Sequence, residues 1–231
     1  MLLKGLQKLT LLDFPGKMAA TVFTGGCNLR CPFCHNASLV LGDRVRDGAI
    51  IDESEFFAFL KKRQRMLEGI CVSGGEPTLM PDLLAFLNKI KELGYLVKLD
   101  TNGTAPHVIK EGVRAGLIDY VAMDIKSSRD GYARAVGIAN FDTSKVEESV
   151  SLLKSGIVDF EFRTTLVREL HSETDIIGIG EWLRGDESYF LQTFKDSGDL
   201  IQDGFSGYDE KETEYLLNLL LSYLPNAKIR G

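Results

Sequence analysis

The sequence predicts an α/β fold, a partial (β/α)6 TIM-like barrel of parallel strands, and two observations carry that prediction. Apolar, β-branched segments that end in Gly, Asn or Asp alternate with amphipathic segments, which is how βα units read in a sequence. Six such units are present, and right-handed crossovers would roll them into a barrel two units short of closure.

The strands expected in order are Ala19–Gly25, Gly69–Ser73, Leu96–Asp100, Tyr120–Ile125, Asp159–Val167 and Ser188–Phe194. The helices that follow them are Asp52–Leu67, Met80–Leu93, Pro106–Ala115, Ser144–Lys154, Thr174–Leu183 and Asp209–Tyr223. Asp52 reads as an N-cap, Pro81 as a first-turn residue, and Ser144 with Glu147 as a capping box. Gly94, Gly116 and Gly156 stand where left-handed C-caps belong. Residues 35–51 and 195–208 read as long loops, which in a compact domain are often functional. Active sites of such barrels gather at strand C-termini, so chemistry is expected just after each strand.

A chain of 231 residues with 44% hydrophobic content can bury one substantial core, and it reads as a single domain over residues 1–231 with a short N-terminal extension, 1–18. A net charge of -6 argues against nucleic acid as a partner, because phosphate binding needs a basic face. No apolar stretch approaches the roughly 20 residues of a membrane-spanning helix. The start also lacks the apolar core of an export signal, so no membrane role and a cytoplasmic location are expected.

Three of the four cysteines fall within eight residues, Cys27-Asn-Leu-Arg-Cys31-Pro-Phe-Cys34, directly after the first expected strand and the turn Thr24-Gly25-Gly26. Thiols this clustered suit a reducing compartment and a metal centre better than a disulfide framework. Three soft sulfur ligands fit zinc or an iron–sulfur cluster, and with three rather than four thiolates a cluster keeps one iron open to substrate. Zinc with His35 as the fourth ligand is the main rival. Cys31-Pro-Phe-Cys34-His35 also matches the haem-attachment pattern, and plain packing as small hydrophobes is the remaining reading.

Later strand ends carry further polar groups. Ser73-Gly74-Gly75-Glu76-Pro77 lets the main chain approach a ligand closely and gives Glu76 as an acceptor for an ammonium group, although by itself such a run is commonly a turn. Thr101 and Asn102 suit ribose hydroxyls, or a helix-entry turn. Asp124 and Lys126, two apart, share one face of a strand, where a charged pair is costly unless it is paired or faces a wet site. Arg163 shares a face with Glu161 and Thr165 and could meet a carboxylate or adenosine, or form an internal ion pair. Gln192 is a weaker candidate. Cys71 and Trp182 read as core, and His107 and His171 as exposed helix-entry residues.

The Cys27/Cys31/Cys34 spacing after a first strand resembles the signature of the radical S-adenosylmethionine (SAM) superfamily, whose members fold as full or partial βα barrels. The resemblance implies a radical SAM fold, one 4Fe-4S cluster held by Cys27, Cys31 and Cys34, and bound SAM. Gly74, Gly75 and Glu76 look like the superfamily's motif for the methionine ammonium, and Phe33 by the same likeness lies beside adenine. His35, Thr101, Asn102, Asp124, Lys126 and Arg163 complete the expected cofactor-binding set; activators of glycyl radical enzymes carry a similar Asp-x-Lys. The opening, Gly5 to Lys17, and the run Thr21 to Asn36 are similar to the anaerobic ribonucleoside-triphosphate reductase activating proteins, as is much of the remaining chain. That resemblance implies an oxidoreductase that cleaves SAM reductively and uses the 5'-deoxyadenosyl radical to abstract a hydrogen from one glycine of the partner reductase. Lacking an inserted cysteine-rich segment, the chain would take its electron from a separate flavodoxin or ferredoxin. Two rival functions are a radical SAM enzyme acting on another glycyl radical enzyme or on a small molecule, such as a 7-carboxy-7-deazaguanine synthase, and a non-catalytic zinc or electron-carrier protein.

Overall fold

A computed structural model describes residues 1–42, 50–185, 188–196 and 198–230. Part of the expected 35–51 and 195–208 loops therefore lies outside the described residues; within the first, a single helical turn, α1 (Ala37–Val40), forms.

One eight-stranded sheet runs in sequence order: β1 (Leu3–Thr10), β2 (Ala19–Thr24), β3 (Gly69–Gly74), β4 (Leu96–Thr101), β5 (Tyr120–Asp124), β6 (Asp159–Leu166), β7 (Tyr189–Thr193) and β8 (Lys228–Arg230). Strands β2 to β8 are parallel and β1 lies antiparallel on β2, so the barrel is open between β1 and β8. The six expected strands are β2 to β7. The two added strands sit at the sheet edges, where Gln7, Lys8 and Leu9 of β1 and Lys228 and Ile229 of β8 stay exposed and leave no apolar run to read.

Helices α2 (Glu53–Arg63), α3 (Leu83–Glu92), α4 (Pro106–Arg114), α5 (Tyr132–Val136), α6 (Ser144–Lys154), α7 (Glu173–Leu183) and α8 (Glu210–Leu221) complete the units. Asp52 caps α2 by accepting from the Ser54 amide at 2.7 Å. That helix stops four residues short of Leu67 because Gln64 is extended and Arg65 is left-handed, φ +69°. The Ser144–Glu147 capping box does not form. Asp142 takes the Ser144 amide and hydroxyl at 2.9 and 2.8 Å, a carboxylate out-competing a hydroxyl as acceptor, and Glu147 takes the Thr143 hydroxyl instead. Gly94, Gly116 and Gly156 are left-handed, as expected of C-caps.

Alternation along each strand divides the interior in two. Val22, Ile70, Val72, Val97, Leu99, Val121, Met123 and Phe162 belong to the main core, which the helices cover. The opposite face looks into the barrel, and at the strand starts it is closed by Phe14, Ala19 and Cys71, with Leu96 and Tyr120 against them. A Cβ on Gly69 would stand 2.7 Å from the Phe14 ring, so glycine there is what lets the plug seat. Cys71 is fully buried in this plug, far down its strand from the clustered cysteines.

Candidate active site

Above the plug, at the strand C-termini, a cavity of about 240 Å³ opens. Cys27, Cys31, Phe33, Cys34, His35, Gly74, Gly75, Glu76, Thr101, Asn102, Asp124, Lys126 and Arg163 all line it, and so does Gln192. Residues spread over 166 positions of sequence thus meet because parallel βα units place every strand end on one rim.

Main-chain contacts hold the cysteine loop. Gly26, at φ +92°, donates to the Leu39 carbonyl at 2.7 Å, Arg30 donates to Val136 of α5 at 3.0 Å, and the Pro32 carbonyl accepts from the Gln202 amide at 2.9 Å. The turn after β3 lies flat on this loop. Gly75 and Glu76 donate to Thr24 and Gly26 at 2.9 and 2.8 Å, and a Cβ on Gly75 would fall 2.0 Å from the Gly26 carbonyl oxygen. Two backbones in contact explain why this turn needs glycine. Glu76, 1% exposed, accepts from the Thr78 amide and hydroxyl, from Thr101 Oγ1 at 2.8 Å and from the Asn102 amide at 2.6 Å. Its carboxylate therefore ties the ends of β3 and β4 together, and burial pushes its pKa up despite these donors. Asn102 in turn donates to Asn28 at 3.0 Å and reaches Cys27 Sγ at 3.8 Å.

Burial raises the pKa of all three thiols, that of Cys31 to about 12, so any metal they bind as thiolates has to displace protons. The Leu29 amide points at Cys27 Sγ from 3.4 Å, a donor suited to a ligating thiolate. Cys27, Cys31 and Cys34 line one cavity together, a set of three sulfur donors that fits an iron–sulfur cluster with one iron left free of thiolate.

The opposite wall is a chain of alternating charges. Asp124 accepts from Lys126 at 3.0 Å on one oxygen and from Arg163 at 2.9 Å on the other. Arg163 also reaches Asp100 Oδ2 at 3.3 Å, Ser73 donates to the same oxygen at 3.1 Å, and Lys98 holds Asp100 Oδ1 at 2.7 Å. Arg163 thus forms internal ion pairs, and it also lines the cavity. Burial disfavours charge here, yet Arg163 and Lys126 outweigh it and hold the Asp124 carboxyl well below the usual range. Glu161 shares Arg163's face of β6 as expected, and its carboxylate pairs with Arg230 at 2.7 and 2.9 Å.

His171 corrects an expectation. It is fully buried, not exposed, with Nδ1 accepting from the Val167 amide at 3.0 Å and Nε2 donating to the Lys126 carbonyl at 2.8 Å. Its ring meets Phe33 edge-on at 6.3 Å, so it backs both the cysteine loop and the Lys126 turn. His107 is exposed as expected, and Trp182 is half-buried, with Arg129 over its ring. Burial lowers the His171 pKa, so the folded protein keeps the ring neutral where an unfolded chain, near 6.5, takes a proton. Stability from this group is complete above about pH 6.5 and is lost as pH falls through the folded value. The melting temperature is expected to drop between about pH 7.5 and about pH 5, and less steeply in His171→Gln; identical slopes would contradict it.

Sequence reasoning did not find Lys98, Ser73 or His171. Lys98 carried a signal, two residues before Asp100 on a strand and hence on the same face. His171 carried none, since beyond nearby Val167 its partners come from the Lys126 turn that follows β5 and from the cysteine loop.

A family model described as the radical SAM superfamily matches residues 21–174. A putative glycyl-radical enzyme activating enzyme of Methanocaldococcus jannaschii is 34% identical over 99% of this chain and 95% of its own. The pyruvate formate-lyase-activating enzyme of Staphylococcus aureus is 28% identical over 78% of this chain and 74% of its own. Among solved structures, a domain of a pyruvate-formate lyase-activating enzyme from Bacteroides vulgatus superimposes with a TM-score of 0.57 at 20% identity, covering 71% of this chain and 99% of that one.

Proposed function

This chain belongs to the radical SAM superfamily and within it to the glycyl-radical-enzyme activating enzymes, and from that premise we propose that it activates an anaerobic ribonucleoside-triphosphate reductase. The observation that carries the reading is the convergence of three thiols, the Gly74-Gly75-Glu76 turn and the β4–β6 charge chain on one cavity. When bound, a 4Fe-4S cluster and SAM supply the electron and the adenosyl group for removing a hydrogen atom from a partner's glycine.

The chain's own residues hold, orient and exclude. Cys27, Cys31 and Cys34 hold the cluster and leave one iron free of thiolate. Gly74 and Gly75 let the main chain close on the methionine end, while Asp124, Lys126 and Arg163 fix its charged groups in one orientation. Phe33, backed by His171, covers the adenine side, and Thr101 and Asn102 hold the rim where ribose would sit. The choice of the reductase as partner rests on the likeness of Gly5 to Lys17 and Thr21 to Asn36 to its activators. A flavodoxin or ferredoxin would supply the electron.

Anaerobically reconstituted, reduced protein mixed with SAM and a purified anaerobic ribonucleotide reductase is expected to yield a glycyl-radical EPR doublet and 5'-deoxyadenosine. A doublet on pyruvate formate-lyase and none on the reductase would move the target. Absence of both, with turnover of a small molecule, would replace the partner protein altogether.

A further inference from the structure

Lys98 is 1% exposed and lies on β4 beneath the cavity, in register with Cys71 and Tyr120, two side chains of the plug that seals the barrel below. A buried ammonium is costly unless it is paired. Its salt-bridge partner is Asp100, at 2.7 Å. With one oxygen of Asp100 held by Lys98, the other meets Ser73 and Arg163. Arg163 continues to Asp124, and Asp124 to Lys126. Three cations therefore face two carboxylates along this chain, and the surplus charge falls at its cavity end, where Lys126 shares its carboxylate with Arg163.

We infer that Lys98 is a positioning residue that sets the charge of the cavity: by neutralising Asp100 from below, it frees Arg163 to serve Asp124 and leaves one positive charge for the carboxylate of a bound amino-acid ligand. Without Lys98 the chain is neutral, and Asp100 draws Arg163 toward itself and away from Asp124. Lys98 touches no ligand; it acts through four other side chains. This rests on the proposed binding of SAM.

The test measures equilibrium binding of SAM, and of decarboxylated SAM, which lacks only the carboxylate, to the cluster-loaded protein. Lys98→Met is expected to lower the preference for SAM over decarboxylated SAM by about tenfold, the order for one unit charge acting on the one carboxylate that distinguishes them across roughly 12 Å at an effective dielectric of about 20. The double variant Lys98→Met/Asp100→Asn removes one charge of each sign, restores the surplus, and is expected to prefer SAM as the wild type does. An unchanged preference between the two ligands in Lys98→Met, or a double variant whose preference falls more than about threefold below the wild type's, would overturn the inference. If Lys98→Met does not fold, the double variant decides. Wild-type protein that loads a cluster and fails to bind SAM would instead retire the functional reading beneath it.

Discussion

Replacing Cys31 with alanine is expected to leave a folded protein that assembles no 4Fe-4S cluster and forms no 5'-deoxyadenosine. The fold should survive because main-chain bonds from Gly26, Arg30 and Pro32 hold the loop, none of them through the thiol. Cys31 is 7% exposed and packs as a small hydrophobe, so its truncation costs stability of the order of 1 kcal/mol. Chemistry should not survive. Cys31 is the middle of the three proposed ligands on a short loop, and the two remaining thiols would leave a second iron without protein support. Iron and sulfide analysis after anaerobic reconstitution, with the EPR spectrum of the reduced protein, reads this directly. A Cys31→Ala protein that still cleaves SAM would remove the basis for the assignment.

Arg163→Met should lower stability as well as binding. Arg163 joins Asp100 to Asp124 across the parallel strands β4, β5 and β6, and its side chain is 13% exposed. Breaking a buried ion pair by removing one partner typically costs about 3–5 kcal/mol, since the other charge stays buried. In a chain of this size that is a melting temperature lower by roughly 10 °C. SAM affinity is expected to fall at least about a hundredfold, as Asp124 and Lys126 lose the group that orients them. The stability defect should narrow as pH is lowered, because protonating one of the two carboxylates relieves their repulsion. Thermal melts at several pH values, compared with wild type, test both parts; a variant equal to wild type at neutral pH would show that the ion pairs contribute nothing there.

What could be read from the chain divides along periodicity. The strands β2 to β7 are buried on both faces or nearly so, and their apolar runs bounded by Gly, Asn and Asp announce them. Helices α2, α7 and α8 carry side-chain caps written in adjacent residues, as at Asp52, Ser172 and Asp209. Edge strands β1 and β8 and the five-residue α5 lack such patterns, since an exposed edge or a single turn needs no long apolar stripe. The Ser144–Glu147 box failed for a local reason, a carboxylate at Asp142 that the motif does not include.

By itself the sequence determined the cysteine loop, the glycine turn, and the rule that brings both to the strand C-termini, because these are short-range patterns and a topology with few alternatives. Only the tertiary structure decided which charges meet. Lys98 and Asp100 could be paired from spacing along β4, but the reach of Arg163 to Asp100 and Asp124, the pairing of Glu161 with Arg230, and the burial of His171 behind Phe33 depend on the register and twist of separate strands. Electrostatic pairing acts over a few ångströms, and distances of that size between remote residues are properties of packing, not of order along the chain.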